Sequence, residues 1–139
     1  MDKKIILFAS GDVGGAKAII PLIDYAYRNS FEAYVVNNGF IANDGYNPKY
    51  KYINIVTSEK ECDPGIYIFS SSLKDILPLS LARHFKSKHV KTIHVLDNWC
   101  NYSNRLEIDG LPKFEPDYYT VMDDLSYHDA LAYGISKTS

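Results

Sequence analysis

The sequence predicts an α/β protein: an open parallel sheet of about six strands in a single three-layer domain, with helices on both faces. Three observations predict it. Residues 5–9 (IILFA) and 66–69 (IYIF) are continuous apolar runs. Strands covered on both faces read this way, as in parallel sheets. Strand-like and helix-like segments alternate along the chain, which argues for right-handed crossovers in a parallel sheet. The 139 residues, 46% hydrophobic and 23% charged, fit one domain with a core of its own.

The strands are expected at residues 4–9, 33–37, 52–56, 66–70, 92–96 and 118–122. The first helix is expected over 15–28, where Ala16, Ile19, Ile20, Ile23 and Tyr27 share a face. Pro21 lacks a backbone donor, so a kink or a late start is expected there. The second helix is expected over 74–86, with Ile76, Leu77, Leu81 and Phe85 inward. Ser72 is its candidate cap, with Asp75 three residues on. A third is expected over 125–133, capped by Asp124 and ended by Gly134-Ile135. The connections 38–51 and 57–65 are polar or short, so their helices are expected to be small or absent.

Composition excludes several functions. A net charge of -2 provides no basic face for general nucleic-acid binding. No run approaches the ~18 apolar residues of a membrane span, and the N-terminal apolar stretch is too short for a secretory signal. Cys62 and Cys100 form no CxxC pair and read as free thiols of a reducing compartment. The cytoplasm is the expected location, with the inner face of the membrane as a peripheral site. Twelve tyrosines suit a cleft or an interface.

Ligands of open parallel sheets bind beyond the carboxyl ends of the strands, where the strand order reverses. Those ends carry Ser10-Gly11-Asp12, Asn37-Asn38-Gly39, Thr57-Ser58-Glu59, Ser70-Ser71-Ser72, Asp97-Asn98-Trp99 and Asp123-Asp124. In "GDVGGA", Gly14 and Gly15 fall at the start of the first helix. Free N–H groups there favour an anion or sugar hydroxyls. The spacing is neither the dinucleotide fingerprint nor a P-loop, and Asp12 opposes a phosphate. The glycines equally suit close packing of helix on strand. The stretch "VLDNWCNYSNRL" joins an aromatic surface to amides and Arg105, a mixture suited to sugars or nucleotides. Its alternative is a tryptophan that anchors a loop. Candidate catalytic residues are therefore Asp12 and Asp97, and candidate ligand-binding residues are Gly11, Gly14, Gly15, Ser70, Ser71, Asn98, Trp99, Asn101 and Arg105. His84, His89, His94 and His128 show no ligand spacing, and Asp124 is better used as a cap than on a metal, so no metal or cofactor is expected.

The stretch "IILFASGDVGGAKAIIPLI" resembles the opening of GT-B-type glycosyltransferases and of UDP-N-acetylglucosamine 2-epimerase-like proteins: a strand, a glycine turn, and a helix carrying a proline. "HVLDNWCNYSNRL" and "PDYYTVMDDLSYHDALAYGI" resemble later parts of the same N-terminal domain in polysaccharide-biosynthesis proteins. The resemblance implies a Rossmann-like, acceptor-side half of a sugar-transferring protein in surface-polysaccharide synthesis. It implies a sugar or nucleotide-sugar ligand, and a second Rossmann domain or subunit, or a homo-oligomer, to complete catalysis. In the catalytic version Asp12 or Asp97 accepts a proton from an acceptor hydroxyl. Gly14 and Gly15 offer backbone donors, and Trp99, Asn101 and Arg105 hold the sugar or its phosphate. The alternative is a non-catalytic nucleotide or small-molecule module that works by assembly with a partner. A flavodoxin-like flavin binder is a third.

Overall fold

The first apolar run forms β1 (Ile5–Ser10), and it is paired on both sides. On one side lies β2 (Glu32–Val36), then β3 (Tyr52–Ile53). On the other lie β4 (Ile66–Ser70), β5 (Lys91–Val95) and β6 (Tyr118–Thr120). The order across the sheet is β3-β2-β1-β4-β5-β6, with every pairing parallel. Because β3 contributes only two residues, five strands of three or more residues carry the sheet and β3 trims one edge. The computed structural model describes residues 5–54, 64–70, 76–95, 116 and 118–120. The helix expected over 125–133, both cysteines, His128 and Asp123-Asp124 lie outside the described residues.

Alternation along β1 divides the core. Ile6 and Phe8 face one side with Ala16, Ile19, Ile23 and Ala26 of the helix α1 (Val13–Arg28). Leu7 and Ala9 face the other side with Leu79, Ala82 and Phe85 of the helix α2 (Leu77–Ser87). Each helix therefore covers one face of the sheet, and burial on both faces explains why β1 and β4 are apolar at successive positions.

The two prolines occupy different places in their helices. Pro21 sits inside α1 without ending it, and the helix begins at Val13, earlier than the expected residue 15. Asp12 supplies that earlier start as the cap. Pro78 falls in the first turn of α2, where its missing N–H has no helical partner to lose. Accordingly α2 starts at Leu77, not at residue 74, and Ile76 is its N-cap residue without a side-chain cap. The proposed cap Ser72 and Asp75 lie outside the described residues. Tyr67, fully buried on β4, donates from its hydroxyl to the Pro78 carbonyl at 2.7 Å and ties this turn to the sheet. Both helices finish in a non-glycine residue of positive φ, Ser30 at 60° and His89 at 64°.

The long connection from β2 to β3 holds a single turn of 3-10 helix (Phe40–Ala42), as its polar sequence predicts. Tyrosines organise the rest of it. Tyr27 of α1 stacks on Tyr50 with centroids 5.6 Å apart, and Tyr46 stacks on Tyr52 at 5.0 Å. The Tyr27 hydroxyl donates to the Ala33 carbonyl and accepts from the Lys51 N–H, both at 2.8 Å. Tyr52 donates to the Ile41 carbonyl at 2.7 Å, and Tyr50 donates to Asp24 at 2.6 Å.

Burial pushes the phenols of Tyr27, Tyr50 and Tyr52 above their ordinary range, and the Asp24 carboxylate adds to the rise at Tyr50. A folded pKa raised above the unfolded value means that the stabilisation is complete below the unfolded phenol pKa of about 10 and is lost as pH climbs past it. The melting temperature should therefore fall as pH rises from about 9 to about 11. Tyr50→Phe should be less stable at neutral pH, by about 1 kcal/mol for its lost hydrogen bond, and should show a shallower alkaline fall. Thermal melts across that pH range read both effects.

Candidate functional site

The strand order reverses between β1 and β4: the chain leaves β1 toward β2 and leaves β4 toward β5. At this place in an open parallel sheet a crevice opens beyond the strand ends. Ser10 and Ser70 are the last residues of the two strands and are register partners. Register partners point to the same face. On β1 that face is set by Ile6 and Phe8, and on β4 by Ile68, all packed on the α1 side. Both hydroxyls therefore lie beneath the first turn of α1.

Gly15 allows that arrangement. A Cβ there would sit 2.7 Å from Ser70 Oγ and 2.8 Å from Asp12 Oδ1, too close for any rigid neighbour. The helix approaches the end of β4 because this position has no side chain. Asp12 is extended and caps the helix: its Oδ1 accepts from the Gly15 N–H at 2.7 Å, and its carbonyl accepts from the Ala16 N–H at 3.0 Å. Gly15 was expected to offer its N–H to a ligand. That N–H is engaged by Asp12, so Gly15 takes part through its missing side chain.

The loop is also held from the β2 side. Gly39, at φ 70°, lies so close to Gly11 that a Cβ would run into the Gly11 carbonyl. The same carbonyl accepts a long 3.4 Å bond from the Phe40 N–H, and Asn38 Nδ2 reaches the Ser10 carbonyl at 3.4 Å. The loop's backbone is thus braced by two neighbours before any ligand arrives.

The hydroxyls themselves are exceptional. Ser10 is 0% and Ser70 1% exposed, and neither Oγ has a hydrogen-bond partner among the described residues. Leaving a buried hydroxyl unpaired costs roughly 1–3 kcal/mol. Most buried polar groups in folded proteins are satisfied, so two adjacent exceptions at a strand reversal mark a place where stability has been given up.

The structure thus brings together Gly11, Asp12, Gly14, Gly15 and Ser70 of the expected residues. Asp97, Ser71, Asn98, Trp99, Asn101 and Arg105 lie outside the described residues. Ser10, Asn38 and Gly39, read from the sequence only as strand-end residues and not as candidates, join the site. Ser10 was findable, because it sits two residues after Phe8 and so shares its face. The role of Gly39 depends on a contact with Gly11 across 28 positions that no local pattern contains. His94, fully buried in β5 with its ring edge-on to Phe69 at 5.1 Å, is a core histidine. Among the described residues no group of three metal-ligating side chains exists, and no helix is long and apolar enough to cross a membrane.

A second concavity, about 410 Å³, lies along the other end of α1 and is lined by Asp24, Tyr27, Arg28, Asn47, Lys49 and Tyr50. Twelve residues of helix separate Asp24 from Asp12, about 18 Å. It is therefore a separate surface from the strand-end crevice. Comparison of the chain with protein-family models, curated proteins and solved structures finds no match.

The packing makes two substitutions informative. Gly39→Ala combines a positive φ with a backbone collision and should destabilise by about 2 kcal/mol or more. Gly15→Ala should cost about 1–3 kcal/mol by overpacking against Ser70 and Asp12. Adding Ser70→Ala to Gly15→Ala should recover part of that loss. Denaturant titrations of the single and double variants would show the coupling, and strict additivity would contradict the contact.

Proposed function

We propose that this chain is a Rossmann-like, acceptor-side domain of a sugar-transferring protein of surface-polysaccharide synthesis, binding its ligand in the crevice between β1 and β4. One observation carries the ligand-binding part: two buried serine hydroxyls, unpartnered among the described residues, are register partners under a glycine-bearing helix start, where the strand order reverses. The strand order supports the fold reading, because 3-2-1-4-5-6 is the order of doubly wound nucleotide-binding sheets. The sugar part is supported by the sequence resemblance and by the mixture of acceptor and donors around Asp12.

In the catalytic version Asp12 accepts the proton of an acceptor hydroxyl. Asp12 is well held for this task, since its cap bond fixes the carboxylate at the first turn of α1. The nucleotide-sugar donor would be completed by a second Rossmann domain or subunit.

The same cap bond also favours a second reading. An aspartate with a structural post is sufficient for a non-catalytic module that binds a nucleotide or another small molecule and acts by assembly. Asn is nearly as good a cap as Asp, so Asp12→Asn preserves the helix start while removing the base.

The ligand-binding reading predicts that UDP-sugars raise the melting temperature of the chain in a concentration-dependent way. No shift at high ligand, together with dimerisation in size-exclusion chromatography, would favour assembly instead. With a complementary domain supplied, Asp12→Asn should leave the folding stability within a few tenths of a kcal/mol of wild type and reduce transfer by roughly 100-fold. Unchanged transfer would remove Asp12 from the chemistry.

A further inference from the structure

We propose that the first turn of α1, with Ser10 and Ser70 beneath it, seats two adjacent hydroxyls of a sugar and excludes a phosphate. The inference rests on the ligand-binding reading of the β1–β4 crevice and names the chemical group that occupies it.

The argument is an accounting of donors and acceptors. Four N–H groups open α1. Those of Gly15 and Ala16 are engaged by Asp12, while those of Val13 and Gly14, both on exposed residues, carry no hydrogen bond among the described residues. Asp12 is partly exposed, and beyond the bond at Oδ1 its carboxylate has acceptor capacity to spare. Ser10 and Ser70 supply two hydroxyls without partners, each able to donate or accept. The seat therefore offers donors that cannot accept, a carboxylate that cannot donate, and two groups that do either.

A phosphate oxygen only accepts. It would satisfy the N–H groups and the serines but would meet the Asp12 carboxylate as a like charge at short range, where solvent screens poorly. Asp12 already occupies the attractive position of the helix end. A hydroxyl accepts from an N–H or a serine and donates to the carboxylate, so it meets every group with the complementary role. Two adjacent hydroxyls reach both the exposed N–H pair and the deeper serines. The ligand meets Asp12, Val13 and Gly14 first. Ser10 and Ser70 are covered by that turn in this structure, so contact with their oxygens requires the first turn to rise from the end of β4.

The test uses the 139-residue chain, with UDP-glucose, UDP-N-acetylglucosamine, the two free sugars and pyrophosphate as probes, followed by calorimetry and thermal shift. Wild type should bind a UDP-sugar and the matching free sugar, and pyrophosphate weakly or not at all. Ser70→Ala should melt no lower than wild type, because an unpaired buried hydroxyl is removed, and should bind the sugar probes roughly fivefold more weakly or worse. Asp12→Asn should gain pyrophosphate affinity by roughly tenfold as the opposing charge disappears. Pyrophosphate binding to wild type as tightly as the UDP-sugar, with no gain in Asp12→Asn, would overturn the proposal in favour of an oxyanion seat. UDP-sugar binding that both variants leave unchanged would overturn the placement while the crevice reading survives. Failure of every probe with wild type would overturn both.

Discussion

The close approach of the first turn of α1 to the end of β4 sets the geometry of everything around it. Gly15 lets the helix descend until only a missing methyl group separates it from Ser70. That descent closes the α1 face of the sheet over Phe8 and Ile19, and it covers the two strand-end hydroxyls. It also places Asp12 where its side chain can reach the Gly15 N–H. Core, cap and candidate site are thus consequences of one contact. A larger residue at position 15 would not merely block a ligand; it would tilt the helix off the sheet.

The β1–α1 loop is fixed from two directions for different reasons. From the helix side it is fixed by the Asp12 cap, an electrostatic and hydrogen-bonding device. From the β2 side it is fixed by backbone contact between Gly11 and Gly39, a steric device that only residues without side chains permit. A loop held in this way presents its N–H groups in a fixed direction, and the entropic cost of ordering it is met on folding instead of on binding. The two serines are the counterpart: they lie covered beneath the same turn, without a hydrogen-bond partner among the described residues.

Much of the fold was legible because the strands are short apolar runs with sharp polar ends. Five of the strands begin within a residue of where hydrophobic pattern places them, the one expected over 52–56 shrinks to the two residues of β3, and the continuous runs of β1 and β4 announced a sheet covered on both faces. The sheet order was not legible, since no local pattern says that β4 pairs with β1 while β2 turns outward. The start of α2 was misplaced because Ser72 and Asp75 imitate a capping box, whereas Pro78 preset the first turn from within. At the candidate site, "GDVGG" marks the β1–α1 loop, but residue type alone could not separate Asp12 as base from Asp12 as cap, since a carboxylate at that turn serves either role. Ser10 was read only as one of several polar strand ends, because a serine after a strand is common. Its significance comes from burial and from the absence of a partner, and only coordinates give both.

The tyrosines beside β3 have a consequence for the molecule's outer border. A two-residue strand forms little ladder: here Val35 donates to the Lys51 carbonyl at 2.9 Å and Asn37 to the Ile53 carbonyl at 2.8 Å. Such a strand would be expected to peel away readily and leave β2 as a naked template for foreign strands. Tyr27 prevents this by joining three elements with one oxygen, taking the Lys51 N–H and giving to the Ala33 carbonyl. The helix thereby acts as a clasp on the sheet's margin. Protection against edge-to-edge aggregation has been transferred from backbone pairing to a single phenol.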